Sequence, residues 1–545
     1  MAPYDAASAT LDVTARLDAA HIGDIHGAFG SIAARDHGRR VGWRARLATL
    51  AAIVGPGLIV MVGDNDAGAF GTYTQAGQTY GTSLLWTLLL LVPVLYVIQE
   101  MVLRLGAVTG VGHARLIFAR FGKAWGAFSV ANLFLLNALI IVTEFIGVTL
   151  GLSYLGLPKI WGVVGAAIAI IAAASTGSFR RYERFMMILV LGSMALVPII
   201  FMIHPPIGQV ARDFVTPQIP GAGKLSDVML LIIAVVGTTI APWQLYFQQS
   251  YVADKGITPR FIGYGKADLW IGIGVVVVGA AAMMAFTAAA FSGTPQFGHF
   301  TDAAGIAEGL GRHAGRIAGV LFAIALIDAS VIGAGAVSLS SAYAIGDVLK
   351  VRHSLHRKPR EAIGLYLIYA SLIVVAAALV LVPGTPLGLL TSAVQTLAGV
   401  LLPVATVLLL LLCNDKAVLG PWVNGRWLNL FTGAVVAGLV MLSLILTTSV
   451  LYPDLSGRLI VEVLIGGSAL ALAAWAGSRL LRRAQEPPID RRGRLMWRMP
   501  PIAALAPAKL GRAERAWLFA LAGYLALTGG VVLVRIVQLA LSGLT

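Results

Sequence analysis

Along most of its length the chain alternates apolar runs of about 20 residues with short charged stretches, and this pattern limits its possible folds more than any other feature. A helix of that length crosses a hydrocarbon core of about 30 Å while pairing every backbone N–H and C=O internally. Such runs lie near 48–63 with 68–80, 83–107, 125–153, 159–176, 184–203, 226–251, 267–291, 316–347, 362–383, 386–413, 427–451, 459–478 and 516–541. The expected fold class is an all-α integral membrane protein with about 12–13 transmembrane helices. Composition agrees, since 58% of residues are hydrophobic and only 12% charged.

The net charge of +15 raises the question of a nucleic-acid partner. The Lys and Arg residues, however, stand in loops beside apolar spans and form no basic domain, so none is expected. With the N-terminus inside, the basic residues fall in the even-numbered loops: Arg104, Arg115, Arg120 and Lys123; Arg180, Arg181 and Arg184; Lys255, Arg260 and Lys266; Lys350, Arg352, Arg357, Lys358 and Arg360. That asymmetry obeys the positive-inside rule and predicts a multi-pass protein of the plasma (inner) membrane with a cytoplasmic N-terminus. The lone Cys413 excludes an intrachain disulfide and a Cys-type metal cluster. His21, Asp24 and His26 read as incidental residues of a surface helix, because no fourth ligand accompanies them.

Two spans are broken at membrane depth, and each opens a run of five helices. The first runs from Gly55-Pro56-Gly57 through Gly63-Asp64-Asn65-Asp66-Ala67-Gly68-Ala69, and the second is Val236-Gly237-Thr238-Thr239-Ile240-Ala241-Pro242-Trp243-Gln244. Matching breaks point to an inverted-repeat transporter, whose freed carbonyls and half-helix ends line a cation site. The expected organisation is a cytoplasmic segment (1–46), a transport core (47–413, repeats 47–203 and 226–413), two further helices (414–478), a basic cytoplasmic linker (479–515) and an extra C-terminal helix (516–545).

The clearest charged residues within the spans are Asp64, Asp66, Glu144 and Asp328, all acidic, which predicts a cationic substrate. Asp64-Asn65-Asp66 beside unwound backbone offers hard oxygen ligands. Structural roles compete with this reading. Asp64 or Asn65 suits a helix cap, Glu144 a hydrogen bond to backbone, Asp328 a polar pair, and Gln244 and Gln395 interhelical hydrogen bonds. No nucleophile–base pair or zinc motif is present, so no enzymatic activity is expected.

Around these breaks the sequence resembles the Nramp family of divalent metal ion transporters. The resemblance rests on Gly55-Pro56-Gly57, Gln75-Ala76-Gly77, Tyr80 to Trp86, Arg104 to Gly110, Glu144-Phe145-Ile146-Gly147, Arg181-Tyr182-Glu183, Pro242 with Leu245-Tyr246, Asp268, Phe322 to Leu326, and Gln395 with Leu402-Pro403. It implies the leucine-transporter fold with 5+5 inverted repeats and a metal site where the first and sixth helices unwind. Asp66 resembles the metal-binding aspartate, Thr238 the backbone-carbonyl ligand and Gln395 the tenth-helix glutamine.

The departures carry as much information. The family's Asp-Pro-Gly-Asn reads Asp66-Ala67-Gly68-Ala69, its Met-Pro-His reads Ala241-Pro242-Trp243, Ile141 replaces a proton-pathway aspartate and Lys255 an arginine. Loss of the thioether shifts preference toward hard, hydrated Mg²⁺ or Mn²⁺, as in the Nramp-related magnesium transporters. The expected metal-site set is Asp66, Asp64, Asn65, Thr238, Ala241, Gln395 and Gln244, with Glu144 and Asp328 as proton or coupling groups. The expected activity is monomeric secondary import of the ion by alternating access, without proton coupling and without a cofactor. Alternatives are a proton-coupled manganese or iron importer, and an organic-substrate transporter of the same fold that would use Trp243 and Phe70.

Overall fold

The computed structural model describes residues 21–451 except 22, 222–223 and 383–386, together with 490–508 and scattered positions from 459 to 534. Much of the expected helices at 459–478 and 516–541 and of the linker at 479–515 lies outside the described residues.

Among the described residues nine helices are long and apolar enough to cross a bilayer: Leu85–Thr109, Lys123–Tyr154, Phe179–Ile203, Asp227–Asp254, Pro259–Phe291, Arg316–Leu349, Ile363–Val380, Ala393–Cys413 and Arg426–Ile445. Trp43–Ile53 and Pro56–Val62 form a further span bent by 54°, and Lys159–Ala174 is a shorter apolar helix. The third and eighth spans, Lys123–Tyr154 and Arg316–Leu349, pack against each other. Small residues permit their approach: a Cβ at Gly151 would meet Ile327, and one at Gly333 would meet the Glu144 carboxyl.

The first span comes in three pieces, Trp43–Ile53, Pro56–Val62 and Ala67–Tyr80. Its bend has a local cause. Pro56 cannot donate a backbone hydrogen bond, and Gly55 sits at φ 148°, where a side chain is strained. A Cβ at Gly55 would also collide with Glu183. The freed backbone groups are met by buried charges. Lys255 Nζ donates to Ile53 O (2.9 Å) and Val54 O (2.8 Å), while the Asp268 carboxylate accepts from Gly55 N (3.2 Å), Gly57 N (2.6 Å) and Leu58 N (3.1 Å). Lys255 also pairs with Glu183 at 2.7 Å, both side chains being 0% exposed.

The sixth span breaks between Leu225–Thr239 and Pro242–Asp254, with Pro242 in the first helical position, where its missing N–H does no harm.

Two expectations change. Lys255, read as a loop residue that sets topology, is fully buried in the bend of the first span, because the carbonyls freed there need a donor. The segment around His21, Asp24 and His26 is no surface helix. It contains a two-stranded hairpin, Ile25–His26 with Ser31–Ile32, whose turn carbonyls are bound by basic side chains. Arg180 Nε donates to Gly27 O (3.1 Å), Arg184 Nε donates to Ala28 O (2.9 Å), and Ala28 N donates to Glu183 Oε2 (2.6 Å).

Lys255→Met would leave Glu183 charged or protonated without its partner in the interior. It should cost about 3–5 kcal/mol of stability. The check is a thermal unfolding series in detergent, in which Lys255→Met together with Glu183→Met should recover part of the loss; a Lys255→Met protein as stable as the native one contradicts the assignment.

Candidate functional site

The second break of the first span is a turn from Gly63 to Asp66. Asp66 has extended backbone (φ −77°, ψ −172°) directly before the first helical residue, Ala67, and its Oδ1 accepts from Ala69 N at 2.9 Å. The cap expected of Asp64 or Asn65 therefore falls to Asp66, because only the residue preceding Ala67 has the geometry to reach back to the free N–H groups.

Asp64 and Asn65 diverge. Asp64 Oδ1 accepts from Gln244 Nε2, and Gln244 Oε1 in turn accepts from Gln99 Nε2 at 2.8 Å, while Asp64 Oδ2 has no partner. Asn65 turns to the seventh span, where its Nδ2 donates to Val276 O (3.2 Å) and its Oδ1 has no partner.

Glu144 comes to the same place from the third span. Its Oε2 accepts from Ala67 N at 3.2 Å, its carboxyl lies within hydrogen-bonding reach of Asp66, and its Oε1 is otherwise without a partner. From the tenth span Gln395 lies over Gly68, so closely that a Cβ there would collide with its amide, and its Nε2 is unpaired.

The sixth span adds its own break. Thr238 Oγ1 is buried without a partner, and Thr239 Oγ1 donates to Val235 O (2.6 Å) and pairs with Tyr73 OH (2.7 Å). Ala241 is extended, and its carbonyl accepts from Gln244 N at 3.2 Å. Trp243 is fully buried beside Gly63, and its carbonyl accepts from Ser340 Oγ at 2.9 Å.

The structure thus brings Asp64, Asp66, Glu144, Gln244 and Gln395 to the second break of the first span. Asp328 does not join them. It is only partly buried and sits beside Gly192 and Ser193 of the fifth span, with Ser193 Oγ 3.5 Å from its Oδ2. Gln99 and Tyr73 were not anticipated; a glutamine at membrane depth was the available signal for the first, and a tyrosine carries none.

The unpaired oxygens of Asp64, Asn65, Glu144 and Thr238 set the site's chemistry. Buried acceptors left without donors are costly, and a cation relieves that cost. The donor set is oxygen throughout. Among the described residues no three His, Cys, Asp or Glu side chains are grouped to hold an ion by themselves, so amides, backbone carbonyls and water must complete any coordination sphere. A narrow cavity leads away from Ala67 and Gly68 past Thr72 and Thr391 to Phe300 and Asp302.

Comparisons with known proteins follow the same lines. Residues 57–449 match the family model described as natural resistance-associated macrophage protein-like, Nramp. The divalent metal cation transporter MntH of Pectobacterium carotovorum is 27% identical over 411 residues, covering 72% of this chain and 93% of that protein. MntH of Ralstonia nicotianae is 30% identical over 391 residues, covering 68% and 85%. In structure, a manganese transporter of Eremococcus coleocola superposes with a TM-score of 0.62 at 19% identity, covering 84% of this chain and 98% of that one. A Na⁺-coupled sialic acid symporter gives 0.50 at 15% identity, covering 76% and 88%. These likenesses establish the leucine-transporter fold with its 5+5 inverted repeats.

The two duties of Asp66 are separable. Asn keeps a capping oxygen and removes the charge, so Asp66→Asn should unfold at nearly the native temperature, whereas Asp66→Ala should lose about 1 kcal/mol. Equal stability of the two variants in a thermal melt would show that the cap contributes nothing.

Proposed function

This chain belongs to the Nramp family of metal ion transporters, and from that premise we propose that it imports a hard divalent cation, Mg²⁺ or Mn²⁺, by alternating access and without moving protons. The divalent metal is the transported substrate, not a cofactor, and the protein is a multi-pass membrane transporter, not an enzyme.

One observation carries the choice of ion. The two helix breaks present carboxylate, amide and backbone oxygens, with Ala69 and Ala241 where the family has an asparagine and a methionine. An oxygen-only set without thioether suits ions that keep part of their hydration shell. Asp66 is the central ligand in this reading, with Asp64 supplying its unpaired oxygen and Thr238, Ala241, Gln244 and Gln395 contributing backbone or amide oxygens. Asn65, turned to the seventh span, contributes its unpaired Oδ1 through water. Gly63 and Gly68 keep the turn narrow, and Pro242 and Trp243 hold the second break.

In this reading the face that carries the basic loops and the N-terminal hairpin is the cytoplasmic one, and the protein acts as a monomer in the plasma membrane. A membrane potential of about 100 mV, negative inside, contributes roughly 4.6 kcal/mol to inward movement of a divalent cation, so no second driving ion is required.

A second reading has one observation in its favour. The Asp66 and Glu144 carboxyls lie within hydrogen-bonding reach of each other, and two carboxyls so placed can hold one proton between them. A cation arriving at Asp66 would displace it, which is the first step of a proton-coupled manganese importer. Asp328 lies too far from the breaks to serve as that carrier. An organic substrate is less well served, since Phe70 packs on Phe322 at 5.4 Å and Trp243 is fully buried, leaving no open aromatic cage.

Proteoliposome uptake separates these readings. Native protein should take up Mg²⁺ or Mn²⁺ under an inward potential with no change in lumenal pH, and Asp66→Asn should abolish uptake. Metal-dependent acidification that disappears in Glu144→Gln establishes coupling instead. Ala69→Asn with Ala241→Met should raise Cd²⁺ uptake relative to Mg²⁺ about tenfold by adding a soft ligand and shrinking the cavity; a native protein that already prefers Cd²⁺ refutes the hard-ion assignment.

A further inference from the structure

The cavity that ends at Ala67 and Gly68 is lined by the first, third, eighth and tenth spans and, on the face opposite the basic loops, by Phe300, Asp302 and Ala303 from the connection between the seventh and eighth. Its walls are glycine, threonine and apolar side chains. Among the described residues that line it, Asp302 is the one ionisable group.

Asp302 caps the helix Ala303–His313, with its Oδ1 accepting from Gly305 N at 2.9 Å. Capping needs a single acceptor, and Asn or Ser serves as well as Asp. A full negative charge is therefore more than the cap requires. The next carboxylate on the same helix, Glu308, is exposed and paired with Arg312 at 3.1 Å, so it adds little net charge. A lone carboxylate at the rim of a cleft with low-dielectric walls concentrates cations there, and its pull on a dication is double that on a monovalent ion.

We infer that Asp302 draws the divalent cation into the outer vestibule and so sets the apparent affinity of uptake, from a position outside the coordination site at the helix breaks. The inference rests on the transport reading given above.

The test is initial-rate uptake of Mn²⁺ and Mg²⁺ from the outside by cells expressing the full chain, in sucrose buffer of low ionic strength. Asp302→Asn retains the cap and loses the charge. It should raise KM roughly fivefold with kcat unchanged, and the difference should fall below about twofold in about 0.5 M choline chloride. Thr301→Lys, at an exposed neighbour that leaves the cap intact, should shift KM in the same direction. Native uptake with an unchanged KM in both variants, or a KM shift that salt does not diminish, overturns the role of Asp302. Absence of divalent uptake by the native protein overturns the transport reading, and the inference with it.

Discussion

A helix cannot be broken inside a bilayer unless the backbone groups it frees find partners in the protein, and the rest of this structure is organised around that requirement. The first span is broken twice and the sixth once. Both gaps of the first span are met by side chains from distant parts of the sequence. Asp268 takes the three N–H groups around Gly55, Lys255 takes the carbonyls of Ile53 and Val54, and Glu144 takes the N–H of Ala67. Those contacts fix the relative positions of the third, fifth, sixth and seventh spans against the first.

The two breaks of the first span are finished differently. At Val54-Gly55 the freed groups meet fully buried charges, and Glu183 ties the cluster to the N-terminal hairpin through Ala28 N. At Asp64 to Asp66, oxygens of Asp64, Asn65 and Glu144 remain without donors. The first is a closed joint, and the second leaves acceptors open. Polar groups with complete partners rigidify, whereas unpaired ones invite a ligand, so burial alone does not distinguish the two.

The fold was legible in the sequence because bilayer length and pairing rules act on runs of residues. Both breaks announced themselves as Gly, Pro and polar residues inside apolar spans. The partners were not legible. Nothing in the local sequence says that Lys255 folds inward instead of marking a loop, that Asp328 faces the fifth span, or that Gln99 and Gln244 form a chain to Asp64. Such facts depend on which helix faces lie together, and hydropathy does not encode that. The cap was misplaced for a related reason: a choice among Asp64, Asn65 and Asp66 needs the residue at which helical dihedrals begin.

The replacement of proline by alanine at position 67 has a consequence that follows from hydrogen bonding alone. A proline there offers no N–H. Ala67 offers one, and it is directed at Glu144 Oε2, 3.2 Å away. In a chain with Asp-Pro-Gly-Asn at this place, the matching glutamate has no donor from that residue. Here one oxygen of Glu144 is anchored to the half-helix N-terminus, and Oε1 is left as the oxygen without a donor of its own. Anchoring favours a carboxyl that stays in place while the ion binds over one that leaves with a proton. The departures at 64, 67 and 69 lie together at one half-helix N-terminus, where the carboxyls of Asp64, Asp66 and Glu144 stand.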